Sequence, residues 1–200
     1  MQVAVIGTGN AGSALLIHLQ EISEIDEILV MNLKDEWSNA AIMDAAGANP
    51  EAALKLAIAP FNRLGQSDIL VLTSGVQMKA GETPKDVLRN NIDVTNSILD
   101  SAVIKKSAIV IALATPVDDI TAHIQIKYGL PENQVFGFGG DIDRNRLIYV
   151  LKKNGLPAEN AEIVGEHMKR WNQQDSNLFP ESHLGWYHQP KGLFWPVKRY

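Results

Sequence analysis

The feature that most constrains this chain is a short apolar run, VAVI at residues 3–6, that ends directly on three glycines spaced G-x-G-x-x-G: Gly7, Gly9 and Gly12 of GTGNAG. A continuous run of Val, Ala and Ile reads as a strand buried on both faces. Glycines at this spacing, between a strand and a helix, serve three separate needs. Gly7 allows the tight turn, Gly9 a close approach of backbone to a pyrophosphate, and Gly12 close packing of the helix. The N–H groups that open the helix then face the anion.

Four further runs rich in Val, Ile and Leu follow, at EILVM (27–31), DILVLTSG (68–75), AIVIALA (108–114) and QVFGFG (134–139). Between them lie stretches with helical spacing: Ala11, Leu15, Leu19 and Ile22; Val87, Asn91, Val94 and Ile98 beside Leu88, Ile92, Thr95 and Leu99; and Ile120, Ile124 and Tyr128. Strand alternating with helix predicts an α/β fold with right-handed crossovers, a Rossmann-type doubly wound parallel sheet. The pattern changes after about residue 145. A helix through LIYVLKKNG (147–155) leads to AEIVGEH (161–167) and then to a tail with Trp171, Trp186, Tyr187, Phe194, Trp195 and Tyr200. Pro180, Pro190 and Pro196 argue against long regular elements there, so residues 172–200 read as an irregular aromatic strap. The expected division is a dinucleotide-binding domain over 1–140 and a shortened catalytic or substrate region over 141–200.

Charge and composition narrow the function. A net charge of -5 with 46% hydrophobic residues describes a globular chain, neither disordered nor polybasic, and nucleic acid is not an expected partner. With 0 cysteines there is no disulfide and no thiolate nucleophile, which suits a reducing cytoplasm. MQVAVIG lacks a basic n-region and runs straight into the glycine motif, so no signal peptide is expected. The longest apolar run, Ala108 to Ala114, falls far short of the roughly 20 residues of a membrane-spanning helix, and no membrane association is expected.

The glycine fingerprint calls for an acidic residue roughly 20 positions on, at the end of the second strand, to accept the ribose hydroxyls. Asn32 occupies that position. Its amide bonds a hydroxyl less strongly than a carboxylate does and does not repel a 2′-phosphate, and Lys34 lies two residues beyond it. The expected cofactor is NAD, with NADP as the alternative.

The order of motifs resembles the lactate/malate dehydrogenase family: GTGNAG, MNLKDEWSNAAIMDAAGA, DILVLTSGVQMKAGET, ATPVDDIT, GLPENQVFGFGGDIDRNRL and VGEH, together spanning about residues 1–170. The resemblance implies an oxidoreductase that passes a hydride between a nicotinamide cofactor and a 2-hydroxy or 2-oxo acid. It assigns His167 in GEH as the proton donor and acceptor, Asp143 as the carboxylate that orients and charges it, and Arg146 as the clamp on the substrate carboxylate. An unperturbed imidazole titrates near about 6.5, which suits acid–base work at neutral pH. A planar guanidinium is the group best shaped to grip a carboxylate through two bonds. Cofactor contacts are implied at Gly7, Gly9, Asn10, Ala11, Gly12, Asn32, Ser74 and Gly75, and no metal is implied.

Three departures qualify the match. The family places a loop arginine after G-E-T or G-E-S, where this chain has Pro84. Locally, Thr83-Pro84-Lys85-Asp86 reads as a helix start, with an N-cap threonine, proline in the first turn and an acidic residue after it. Losing one transition-state donor typically costs about two to three orders of magnitude in turnover, with Lys79, Lys85 and Arg89 as candidate replacements. Thr115 stands where the family has an asparagine that bonds cofactor and substrate. Met78 stands at the loop position that selects substrate, and favours an apolar tail over a second carboxylate unless it packs beneath its own loop. The family also continues far beyond its G-E-H, whereas this chain runs only to Tyr200. The alternative function is therefore a catalytically impaired NAD(P)-binding regulatory or assembly protein. A shortened second region would leave apolar surface needing cover, which predicts a homodimer. Within DIDRNR (141–146), helical spacing puts Asp143 and Arg146 on one face and Asp141 and Arg144 on another, and the second pair is expected to be solvated or interface-facing.

Overall fold

The computed structural model describes residues 1–159, 161–162, 185–188 and 194–197, the last two stretches through their backbone. The chain divides into two compact units, Met1–Gly137 and Phe138–Tyr200. The first unit is built on six strands: β1 (Gln2–Ile6), β2 (Glu27–Met31), β3 (Leu56–Ile58), β4 (Ile69–Leu72), β5 (Ile109–Ala112) and β6 (Val135–Gly137). They form one sheet in the order β3-β2-β1-β4-β5-β6, parallel throughout. The order reverses between β1 and β4, and the expected doubly wound fold is realised.

Four helices cover the sheet: α1 (Asn10–Leu19), α2 (Asp35–Ala48), α3 (Pro84–Leu99) and α4 (Val117–Tyr128). Alternate strand residues point to opposite faces, and each face has its own core. Ala4, Ile6, Leu29, Met31, Leu70 and Leu72 pack with Ile98, Leu99, Ile120 and Ile124 of α3 and α4. Val3, Val5, Ile28, Val30 and Val71 pack with Leu16, Ala41 and Ala45 of α1 and α2. Every one of these side chains is at most 6% exposed, which is why the strands read as unbroken apolar runs and not as alternating ones.

Two elements escaped the sequence reading. Strand β3 is only three residues long. Helix α2 buries Ser38, Ala41 and Ala45, small or polar side chains that leave no large apolar stripe. In α1 the buried positions are Gly12 and Leu16, followed by the buried C-cap Gln20, while Ala11 and, beyond the helix, Ile22 are exposed. The true face runs through a glycine that spacing of apolar side chains passes over. The two stripes expected in α3 are correct, with Val87, Asn91, Ile98, Thr95 and Leu99 all buried.

In the second unit, α5 (Gly140–Lys153) runs through DIDRNR, the expected helix start, and on through the expected LIYVLKK. Asp141 and Asp143 lie in its first turn and Lys152 and Lys153 in its last, which complements the helix dipole at both ends. Leu147 and Leu151 form a small core with Ala158 and Ala161. The region expected to be an irregular strap contains two short antiparallel strands, β7 (Gly185–His188) and β8 (Phe194–Val197), paired from Gly185 with Val197 to His188 with Phe194. Four residues each is within what proline spacing allows, and Pro196 falls inside β8.

Candidate functional site

The glycine turn is held by backbone packing that leaves no room for side chains at two of its three glycines. Gly7 has φ +94, in the left-handed region, and a Cβ there would lie 2.8 Å from the Ser74 nitrogen. A Cβ on Gly12 would lie 2.0 Å from the Gly7 carbonyl oxygen and 2.8 Å from Thr73 Oγ1. Thr73 Oγ1 shares its proton between the carbonyls of Ile6 (3.0 Å) and Gly7 (2.7 Å), tying the end of β4 to the turn after β1. Gly9 differs from both, since a Cβ there would meet nothing within 4 Å.

Gly9 is also the N-cap of α1, and no side chain caps that helix. The first-turn N–H groups of Asn10, Ala11 and Gly12 precede any partner four residues back, while the Ser13 amide closes the first bond to the Gly9 carbonyl at 2.9 Å. An open, uncapped helix start beside a glycine with free space fits a pyrophosphate, the group that a dinucleotide would place there.

At the end of β2, Asn32 is half-buried and already engaged. Its Nδ2 donates to Thr8 Oγ1 at 2.6 Å and its Oδ1 accepts from the Leu33 amide at 2.8 Å. Thr8 Oγ1 in turn donates to the Trp37 carbonyl at 3.2 Å. One amide proton and one lone pair of Asn32 remain for a ribose hydroxyl. Lys34 Nζ lies 5.2 Å from the Trp37 ring centroid, a cation–π contact at the start of α2.

The loops after β4 and β5 carry Ser74, Gly75 and Met78, and Thr115. Ser74 is half-buried against Gly7, while Gly75, Met78 and Thr115 are exposed. Met78, at 45% exposure, does not pack beneath its loop. Asn91, from the middle of α3, reaches both loops. Its Oδ1 accepts from the Val76 amide at 2.6 Å, and its Nδ2 donates to the carbonyls of Val76 (3.2 Å) and Thr115 (2.5 Å). The Thr115–Pro116 bond is cis.

The helix start expected at Thr83 is present in full. Thr83 Oγ1 accepts from the Asp86 amide at 3.3 Å, and Asp86 Oδ2 accepts from the Thr83 amide at 2.8 Å, with Pro84 in the first turn. Bonds from the Thr83 hydroxyl and amide hold the Asp86 carboxyl below the usual carboxylate range.

In the second unit, Arg146 Nη1 pairs with Asp143 Oδ1 at 3.1 Å, one helical turn apart, as the spacing predicted. Of the other pair, Asp141 is exposed, as expected, while Arg144 has a partner within its own unit. Arg144 Nε donates to the Ala161 carbonyl at 2.9 Å, so it anchors the segment after α5 and is not merely solvated. Spacing alone could not show a backbone acceptor 17 residues away. His167 lies outside the described residues, as does the GEH motif around it. Thr8, Thr73 and Asn91 were missed as site residues. Asn91 left a signal, an amide in a helical stripe of apolar side chains. Among the described residues no group of His, Asp or Glu side chains is arranged to hold a metal ion, and no helix is long and apolar enough to cross a membrane.

Residues 1–137 match the protein family described as lactate/malate dehydrogenase, NAD binding domain. An L-lactate dehydrogenase of Clostridium perfringens is 29% identical over 171 residues, which cover 83% of this chain and 54% of that protein. A malate dehydrogenase of Bacteroides fragilis is 26% identical over 194 residues, covering 93% of this chain and 60% of that protein. Among solved structures, the malate dehydrogenase of Aeropyrum pernix superposes with a TM-score of 0.68 at 25% identity, over 82% of this chain and 56% of that one. The chain thus spans little more than half the length of the relatives it matches.

Proposed function

This chain belongs to the lactate/malate dehydrogenase family, with residues 1–137 as its NAD-binding domain, and we propose that it is an NAD-dependent dehydrogenase of a 2-hydroxy or 2-oxo acid. The observation that carries the reading is the glycine turn, where a Cβ on Gly12 would lie 2.0 Å from the Gly7 carbonyl oxygen while Gly9 is open beside an uncapped helix start. NAD, when bound there, supplies the hydride donor or acceptor. The N–H groups of Asn10, Ala11 and Gly12 hold its pyrophosphate, and Asn32 takes a ribose hydroxyl with its remaining proton or lone pair.

Proton transfer and the grip on the substrate carboxylate fall to residues of the second unit. His167 gives a proton to the carbonyl oxygen of a 2-oxo acid during reduction and takes it back from the hydroxyl during oxidation. Asp143 stabilises the protonated imidazole, and Arg146 holds the carboxylate through two parallel bonds. Thr115 supplies part of the hydrogen bonding that an asparagine would give, and the exposed thioether of Met78 favours a substrate with an apolar tail over one with a second carboxylate. We place the activity in the cytoplasm and the chain in a homodimer. The exposed apolar side chains of Leu33, Trp37 and Met43, at 77%, 52% and 65%, support the second point. Light scattering of the purified chain tests it, and a monomeric mass would sink it.

The test of the activity is NADH oxidation across a panel of 2-oxo acids, with His167→Ala as the control that loses turnover and keeps cofactor fluorescence. Absence of turnover with every acid and with both NADH and NADPH defeats the enzymatic reading. The capping box at Thr83 and Asp86 favours a second reading, because Pro84 serves the helix start where the family's loop arginine would serve catalysis. That reading is a cofactor-binding regulatory or assembly protein, and binding without turnover selects it.

A further inference from the structure

Asn91 is 1% exposed, and it lies in a stripe whose other members, Val87, Thr95, Ile98 and Leu99, are also buried, Ile98 and Leu99 against the sheet. A buried carboxamide in such a stripe is costly unless all its bonds are made. Here they are made to backbone that belongs to two different loops. The Val76 backbone is held through both its groups, N–H to Oδ1 at 2.6 Å and C=O to Nδ2 at 3.2 Å, and the second amide proton goes to the Thr115 carbonyl at 2.5 Å. A Cβ on Gly75 would come within 3.3 Å of Asn91 Oδ1, so the loop after β4 lies directly on the amide.

These loops leave the carboxyl ends of β4 and β5, which are neighbours in the sheet. The glycine turn and Asn32 belong to β1 and β2, on the other side of the reversal in strand order. In a doubly wound sheet each half receives one mononucleotide, and the ligand lies across the carboxyl ends at the reversal. We infer that Asn91 is a positioning residue for the nicotinamide half of the cofactor. It sets the spacing between the Val76 and Thr115 backbones without itself touching cofactor or substrate. An apolar residue would pack the helix equally well, but it could not hold either loop.

The inference rests on the cofactor reading, and two ligands separate the two. ADP-ribose probes the first half of the sheet alone, and NADH probes both halves. Calorimetric titration of the full chain should show both binding to the unmodified protein, and failure of both would overturn the cofactor reading and this inference together. Asn91→Asp keeps the acceptor but sets a carboxylate against two carbonyls. It should leave ADP-ribose affinity within about twofold and weaken NADH by about tenfold or more. Ile98→Val, buried in the same helix away from both loops, should lower the melting temperature and leave the affinity ratio unchanged. Val76→Pro removes the same bond from the exposed loop side and should shift the ratio in the same direction, so a poorly folded Asn91→Asp does not shield the inference. An unchanged ratio in Val76→Pro, or equal losses of both ligands in Asn91→Asp, overturns it.

Discussion

Gly12→Ala and Gly9→Ala place one methyl group each into the same turn, and the structure assigns them opposite consequences. The Gly12 methyl would lie 2.0 Å from the Gly7 carbonyl oxygen. An ordinary carbon–oxygen contact is about 3.3 Å, so α1 and the turn would have to separate by about 1.3 Å. Both partners are backbone, and Thr73 Oγ1, 2.8 Å from the same methyl, holds the Gly7 carbonyl in place at 2.7 Å. Overpacking of this kind costs about 1–3 kcal/mol, and a backbone contact belongs at the upper end. Replacing a helical glycine by alanine returns about 1 kcal/mol of propensity, which leaves a net loss of about 2 kcal/mol. For a chain of this size that lowers the melting temperature by about 4–8 °C.

The Gly9 methyl meets nothing within 4 Å, and its backbone, at φ -71, suits any residue. The melting temperature without ligand should fall by about 2 °C at most, from the weaker N-cap. The loss appears on adding NADH. At a hundred times the dissociation constant the wild type gains about 2.7 kcal/mol, and a tenfold weaker variant at the same concentration gains only about 1.4 kcal/mol. Thermal unfolding of the three proteins with and without NADH reads both effects. A Gly12→Ala protein melting within about 2 °C of wild type, or a Gly9→Ala protein with an undiminished NADH-induced rise, would refute the reasoning.

Three further outcomes follow from the same geometry. Thr83→Ala removes the side chain from the capping box and should cost about 1 kcal/mol, lowering the melting temperature by about 2–4 °C, with faster amide exchange confined to the first turn of α3; unchanged exchange there would show that packing alone holds that end. Asn32→Asp restores a carboxylate beside the ribose and should weaken NADPH relative to NADH by about tenfold or more in fluorescence titrations; an unchanged ratio would remove Asn32 from cofactor selection. Asp68 is held below the usual carboxylate range by its bond from Lys105 Nζ at 2.8 Å and then by the Gln2 amide. A depressed native value means that its stabilisation is present above the unfolded value of about 3.9 and is lost as pH falls through the native one. Melting temperatures measured from neutral to acid pH should fall below about pH 4, and Asp68→Asn should shallow that fall; an identical acid limb in the variant would contradict the assignment.

How much of this was legible in the chain depended on what each residue buries. Strands β1, β2, β4 and β5 were readable because both faces are apolar, β6 by its apolar residues although it buries only Val135, and α3 because its stripe is long and mixed with exposed polar residues. Helix α2 was not, since Ser38, Ala41 and Ala45 give packing without an apolar period. The glycine turn announced itself by spacing, but the threonine that locks it did not. Thr73 acts through its hydroxyl on the Ile6 and Gly7 carbonyls, 67 and 66 residues away, a relation created only when β1 and β4 pair. Asn91 stood in the predicted stripe as one more core position, and its bonds to Val76 and Thr115 exist only because β4 and β5 end side by side.

The four charges of DIDRNR separate into different tasks for reasons of geometry. Arg146 spends one nitrogen, Nη1, on Asp143, and its side chain remains 66% exposed. A guanidinium carries five N–H donors in a planar fork, so that single bond restrains one edge of the fork while a second edge stays available to a carboxylate. The proposed clamp and the observed ion pair are therefore compatible, and the pair becomes a means of orienting the clamp. A lysine could not combine them, because a point charge drawn to Asp143 has no second, preset edge. Arg144 also has a geometric role, but toward its own backbone. Its bond to the Ala161 carbonyl, beside the Leu147, Leu151, Ala158 and Ala161 cluster, fixes the chain that runs from α5 toward His167. A side chain whose spacing pointed to solvent or an interface thus closes the turn after α5 back onto its own helix.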